Sequence, residues 1–337
     1  MIDMDKVGKA ITYLRKRAGY TQADLAERIG ISDKAVSKWE RGLSLPDVSI
    51  LGKLSILLDT DTDSLLSGDV IHHDSSWCGI LMLRENPNGI LANTMVFDKP
   101  LVHILLCYFL LVGIKKIIVS CSPKDNECIR KEFGDGSEYG ISLVYSDDVL
   151  KTTDDFNAKN YMIVFGRSFI YGVDQTRFFQ RAMADRSRLT VLTLPRKNGK
   201  NNINFDASKK IVGDSEDRIS TQYQYSDIPI LFSPKELLGE VVGMLSSGKG
   251  IDFRYKPILL YAEILDRGYV EMPLDTWESI ADASQLIRII EKTCGMKVYS
   301  LEEIAWRRGM ISDDQLKLFG EGKKDPGFKS YLLSLFD

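Results

Sequence analysis

No apolar run in these 337 residues is long enough to cross a bilayer. The longest, Leu101 to Ile114, falls short of the ~20 residues that a spanning helix needs, and His103 interrupts it. No basic stretch leading into a cleavable apolar segment opens the chain, so a cytoplasmic protein without membrane partners is expected. Cysteine is scarce. The five present (Cys78, Cys107, Cys121, Cys128, Cys294) form no C-x-x-C pair and sit in apolar or helical contexts, which predicts reduced core residues rather than a disulfide framework. The pair His72-His73 lacks a third ligand nearby, so neither a metal nor any other cofactor is expected. Positive charge is not in excess either: 44 Lys and Arg face 47 Asp and Glu, a net charge of -3. Composition alone therefore does not announce a nucleic-acid partner. The balance is uneven along the chain, however, with nine bases and six acids up to Arg41, enough for one positive face.

What is present begins with length. A chain of 337 residues exceeds a single core, so two or three domains are expected. The rhythm of the sequence divides it at a short polar connector. Residues 1–67 read as an all-α head, 68–76 as a linker, and 77–337 as an α/β body ending in a helical tail.

In the head, Met4 to Ala18 is amphipathic, with Val7, Ile11 and Leu14 on one side and Arg15, Lys16 and Arg17 at its end, where cations suit the helix dipole. Thr21 with Asp24 behind it has the signature of a helix start, and Leu25, Ala26 and Ile29 supply one apolar stripe. Gly30 breaks that helix. Ser32 caps the next, whose Ala35, Val36 and Trp39 are expected to face inward, leaving Asp33, Lys34, Ser37, Lys38 and Arg41 outward. Val48 to Leu58 and a short turn through Leu66 complete five helices. A rod presenting polar groups on one side fits the major groove of B-DNA.

The run from Thr21 to Gly42 resembles the helix-turn-helix of phage repressors and Cro (the XRE type). The resemblance implies double-stranded DNA as partner, with Gln22 on a phosphate, Ser32, Asp33, Lys34 and Lys38 reading bases, Ser37 beside them and Arg41 near the backbone. Such heads bind palindromic operators as symmetric pairs, so a homodimer or higher homo-oligomer is expected.

From Trp77 onward, strand and helix alternate. Strands are predicted over 77–83, 116–121, 141–145, 161–165, 189–194, 209–212 and 228–232. Helices are predicted over 99–113, 125–133, from Asp174 and from Pro234, and in the tail over 275–293, 301–308, 313–319 and 327–336. That order argues a mostly parallel sheet covered on both faces. Phe97-Asp98-Lys99-Pro100, the stretch Leu110 to Val119, the segment Phe133 to Ile141 and the tail motif Glu302 to Arg308 resemble sugar-nucleotide pyrophosphorylases, glucose-1-phosphate thymidylyltransferase above all. The resemblance implies a nucleotide-diphospho-sugar-transferase-like fold.

Four parts of that chemistry are altered here. The glycine-rich loop is replaced by Leu83 to Ile90 and looks several residues short; Leu91 stands at the lysine position. Arg167 stands where the resemblance places a magnesium-binding aspartate, and Pro273 at a second aspartate, with Asp275 two residues on. Two unit charges about 4 Å apart repel by about 4 kcal/mol at an effective dielectric of about 20, and a divalent ion roughly doubles this. On that ground the body is expected not to be an enzyme and to have no catalytic residue. Arg84 and Arg167 become candidates to face an anionic ligand in the crevice at the strand ends. The expected function is a transcriptional regulator whose body dimerises it and senses a nucleotide or nucleotide-sugar. The alternatives are an active sugar-1-phosphate nucleotidyltransferase with an added helical domain, and a purely structural dimerisation body.

Overall fold

The computed structural model describes the chain except residues 1, 19, 59, 61, 69–75, 173–174, 197–208, 212–223, 247–259, 266–267 and 337. The chain divides into two compact units, residues 1–72 and 73–337. The junction predicted at 68–76, with its His72-His73 pair, falls largely outside the described residues.

Among the described residues the first unit holds five helices: α1 (Met4–Arg17), α2 (Gln22–Ile29), α3 (Asp33–Glu40), α4 (Val48–Leu57) and α5 (Thr62–Ser67). Their ends follow from local chemistry. Asp3 caps α1; Thr21 and Asp24 form a reciprocal capping box at α2; Ser32 accepts from the N–H of Ala35 at α3. Gly30 ends α2 at φ +86, and the N–H groups of Gly30 and Ile31 both donate to the Ala26 carbonyl. Val7, Ile11, Leu14, Leu25, Val36, Trp39, Leu54 and Leu65 close one core between the helices. α1 packs hard on the end of α3: a Cβ at Gly8 would lie 2.4 Å from the Trp39 carbonyl oxygen.

The second unit is built on a seven-stranded sheet. Its elements in chain order are β1 (Trp77–Leu83), β2 (Met95–Val96), β3 (Lys99–Pro100), α6 (Leu101–Leu111), β4 (Lys116–Cys121), α7 (Pro123–Phe133), β5 (Ser142–Tyr145), α8 (Val149–Asp154), β6 (Asn160–Val164) and β7 (Ser168–Tyr171). Then come α9 (Gln175–Ala184), β8 (Leu189–Arg196), β9 (Gln224–Pro234), α10 (Lys235–Ser246), β10 (Leu260–Ile264) and β11 (Val270–Pro273). The tail is α11 (Trp277–Cys294), α12 (Leu301–Arg307), α13 (Asp313–Gly322) and α14 (Pro326–Ser334).

The sheet order is β10-β8-β9-β6-β1-β4-β5. β6, β1, β4 and β5 run parallel, as do β8 and β10, while β9 runs antiparallel between β6 and β8. The expected mostly parallel sheet is present. One face packs on α6 and the tail helices, the other on α8 and α10. α6 is buried from Leu101 through Leu110, which accounts for a run apolar on every side rather than on one stripe.

Several boundaries move. The helix predicted from Lys99 starts at Leu101, because Lys99 and Pro100 pair with Met95 and Val96 in a short hairpin. β7 and β11, which pair antiparallel outside the main sheet, were not legible in the sequence, nor were α8 and β10. Of the strand predicted over 209–212, Lys210 makes an isolated bridge to Tyr261, and its last residue lies outside the described residues. The cysteines are not uniformly core residues. Cys78 and Cys107 are buried, with burial pushing the Cys78 thiol up to about 12, whereas Cys294 at the end of α11 is exposed.

Candidate functional site

In the first unit, α2 and α3 present the predicted DNA-reading residues. Ser32, Asp33, Lys34, Lys38 and Arg41 are exposed and Ser37 is half-buried, while Val36 and Trp39 on the opposite side are buried. Asp33 accepts from the Lys34 N–H (2.8 Å), and the Arg41 Nε donates to the Ser37 carbonyl (3.2 Å), so the arginine folds back along the helix. Gln22 is held rather than free: its amide donates to Glu40 (2.6 Å). Glu40 also takes Arg15 through Nε (2.5 Å) and Nη2 (3.1 Å), and Arg15 Nη1 donates to the Tyr20 carbonyl (2.7 Å). This network ties α1, α2 and α3 into one body and fixes the angle at which α3 is offered. The pairing of Arg15 with Glu40 is not legible in the sequence. Their spacing of 25 residues gives no local signal.

In the second unit, the carboxyl ends of the parallel strands β1, β4 and β6 lie side by side at one edge of the sheet, and the altered positions gather there. Arg167 follows β6. Its Nη2 donates to Asp125 (2.7 Å) and its Nη1 to the Arg84 carbonyl (2.7 Å); its Nε is buried and has no hydrogen-bond partner among the described residues. Asp125, in the first turn of α7, is fully buried and accepts in addition from the Ser122 hydroxyl (2.8 Å) and the Ala92 N–H (2.7 Å). One ion pair thus joins the segments that follow β1, β4 and β6. Arg84 is exposed, but Arg167 is 5% exposed and does not present an open cation at the strand ends. That corrects the expectation for Arg167: the fold has already spent its charge on Asp125.

The loop that replaces the glycine-rich segment is held by side chains. Asn86 takes the Asn88 N–H on its carbonyl (2.8 Å) and reaches Asp275 with its amide (3.3 Å). Asn88 donates to the Asp275 carbonyl (2.7 Å), and Trp277 Nε1 donates to the Asn88 carbonyl (3.2 Å). Leu91 is half-buried and Pro273 ends β11, exposed. Partial desolvation lifts the Asp275 carboxyl above the ordinary carboxylate value, against the pull of Arg167 and Asn86. A magnesium ion, which the resemblance implies, would find Asp125 committed to Arg167 and Asp275 bound by Asn86, with no group of three metal-ligating side chains among the described residues. The described residues as they stand do not fit it.

Residues 11–65 match the helix-turn-helix family. The rest of the chain is similar to glucose-1-phosphate thymidylyltransferases. The Mycolicibacterium smegmatis protein is 28% identical over 262 residues, covering 72% of this chain and 90% of its own length. The Neisseria meningitidis protein is 29% identical over 259 residues, covering 71% and 90%. A solved Bacillus anthracis protein described as a glucose-1-phosphate thymidylyltransferase in complex with sucrose is 15% identical, with a TM-score of 0.49, covering 63% of this chain and 95% of that one.

The helix-turn-helix match supports a DNA-binding regulator. The expectation that the chain is not an enzyme is overturned: relatives across 71–72% of its length carry an enzyme's name. Nor is the Arg167 guanidinium an uncompensated charge that would face a metal, since Asp125 answers it at 2.7 Å.

Proposed function

Starting from a DNA-binding head joined to a thymidylyltransferase-like body, we propose that the chain is a transcriptional regulator that binds a palindromic operator as a homodimer or higher homo-oligomer, with the body dimerising it and sensing a nucleotide or nucleotide-sugar. One observation carries the reading: Ser32, Asp33, Lys34, Lys38 and Arg41 are exposed around a short helix whose opposite side is buried and whose base is locked through Glu40. In this proposal Gln22, whose amide keeps one N–H beyond its bond to Glu40, and Arg41 set register on phosphates, Ser32, Asp33, Lys34 and Lys38 read base edges, and Ser37 stands beside them. Arg84 is the proposed anion contact in the crevice, with Arg167 holding its carbonyl in place.

Lys34→Ala and Lys38→Ala are each expected to weaken operator binding by about 1–3 kcal/mol in a mobility-shift assay. Unchanged affinity for both removes the assignment of α3 as the reading helix.

A second reading, sugar-1-phosphate nucleotidyl transfer by the body, is favoured by the relatives that share 71–72% of the chain. Release of pyrophosphate from a nucleoside triphosphate and a sugar-1-phosphate in the presence of magnesium tests it. Turnover establishes the body as a working transferase; its absence, with operator binding intact, leaves the regulator reading.

A further inference from the structure

The turn between α9 and β8 lies apart from both the strand-end positions and the head. From Gln175 to Arg188 the sequence carries four arginines, Arg177, Arg181, Arg186 and Arg188, against one acid, Asp185. Arg181, Arg186 and Arg188 line an open hollow of about 590 Å³ at the surface, with Asp185 and Ser187 between them. The acid is committed inside the turn. Its carboxylate accepts from the Ser187 N–H (3.1 Å) and hydroxyl (2.7 Å) and pairs with Arg188 Nε (2.6 Å). Glu263 on β10 is answered twice, by Arg181 (2.8 Å) and by Lys209 (3.1 Å). One carboxylate between two cations leaves a positive remainder, and the cations are the part that faces water. The side chains of Arg181 and Lys209 are 45% and 40% exposed, that of Glu263 only 10%. Arg186, between Asp185 and Ser187, is exposed as well.

These cations are held in place before any partner arrives. The Arg181 guanidinium lies over the Phe178 ring, 5.2 Å from its centre, and that of Arg188 over Tyr261 at 4.4 Å. A guanidinium lying on a ring gives its face to the ring and keeps its N–H edge, whose fork matches phosphate oxygens. Side chains already ordered lose little rotamer freedom on binding. Several guanidinium groups spread along one open hollow suit a row of phosphates better than a single compact anion. Arg186 also meets the Ser76 hydroxyl (3.3 Å), directly before Trp77 opens β1, so the turn lies where the chain enters the body. Residues 68–76 join that point to the head, and nine residues span at most about 32 Å even when fully extended. A tether this short gives the turn a high effective concentration toward any duplex that the head binds.

We propose that this arginine turn is a second DNA-contacting surface, taking the phosphate backbone of the duplex beside the operator. Arg181 and Arg186 are the contacts, and Asp185 with Ser187 shapes the turn that carries Arg186. The surface adds affinity without reading bases. It rests on DNA binding by the head and goes beyond it, since the body then contributes to the grip.

Fluorescence anisotropy of the full chain with a mixed-sequence duplex of about 40 base pairs, between about 50 and 200 mM salt, tests it. Each phosphate contact contributes about 0.9 to the slope of log affinity against log salt. Arg181→Ala/Arg186→Ala is therefore expected to flatten that slope by about 1.8 and to weaken binding several-fold at the lowest salt. Arg186→Ala alone is expected to flatten it by about half as much with the melting temperature unchanged, which keeps the test sound should the double variant fold poorly. Arg181→Lys/Arg186→Lys, which keeps both charges, is expected to hold the slope of the parent. An unchanged slope in both alanine variants, with binding still weakened by Lys34→Ala/Lys38→Ala, overturns this surface and leaves the head reading standing. A flattened slope in the arginine variants with no effect of the two lysine changes upholds the surface and overturns the role given to α3. A slope lost equally in the lysine-for-arginine variant shows that charge is not what the turn supplies and overturns the proposal, and a chain that binds no duplex at the lowest salt overturns both readings.

Discussion

Arg167 is the residue on which the sequence and the structure disagree most. A guanidinium in place of an acid looked like a charge that would repel a metal, yet Asp125 compensates it at 2.7 Å with both side chains almost wholly buried. Removing one member of such a pair strands the other charge, so Arg167→Ala or Asp125→Ala is expected to cost about 3–5 kcal/mol in urea unfolding. Replacing both with apolar residues of similar size should cost much less, and a double-mutant cycle measures the difference. Glu302 makes a related case. Burial works against its charge, but Lys323 and His103 outweigh burial and hold the carboxyl below its ordinary value. A carboxyl depressed in the folded state stabilises the protein at pH above its unfolded value, about 4.3, and that stability is lost as pH falls through the folded value. Glu302→Gln should therefore be less stable than the parent at pH 7, with the gap closing below about pH 4.3 in urea midpoints.

At the scale of elements, the head was legible because its instructions are local. Thr21 with Asp24, Gly30 and Ser32 each act within four residues of themselves, and the helices form where those residues place them. Two glycines there do different work. Gly30 sits at φ +86 with nothing within 4 Å of a Cβ, so Gly30→Ala meets only backbone strain of about 1–2 kcal/mol. Gly8 lies where a Cβ would be 2.4 Å from the Trp39 carbonyl oxygen, so Gly8→Ala must push α1 off α3. Overpacking of this kind costs about 1–3 kcal/mol, and it should also weaken operator binding by tilting α3. Thermal unfolding together with mobility shift separates the two; an Ala at Gly30 that weakens DNA binding as much as one at Gly8 contradicts this account. In the body, α6 and β4 were legible because long apolar runs leave few alternatives. β7 and β11 were not: each has four residues, and they exist only because the chain brings them side by side, Val270 against Tyr171.

For the whole molecule, the proposed symmetric pair carries a geometric consequence. Two reading helices about 34 Å apart match half-sites one DNA turn apart. Inserting five base pairs between half-sites turns one of them to the opposite side of the duplex and is expected to abolish the mobility shift, while ten restore the facing. Equal binding to all three spacings removes the fixed dimer. A ligand that binds only the folded body at one hundred times its dissociation constant adds about 2.7 kcal/mol of stability, a rise in melting temperature that a screen of nucleotides and nucleotide-sugars would detect.

The amino-acid sequence by itself determined the head, the alternation of strand and helix, and the likeness of the body to a transferase, because caps, turn glycines and apolar period act over a few neighbouring residues. The tertiary structure alone decided which charges answer one another. Asp125 meets Arg167 across 42 residues, and Asn86 meets Asp275 across 189. Those meetings depend on strand order in the sheet, and in a buried site the free energy of a charge is set by whichever group the fold brings beside it.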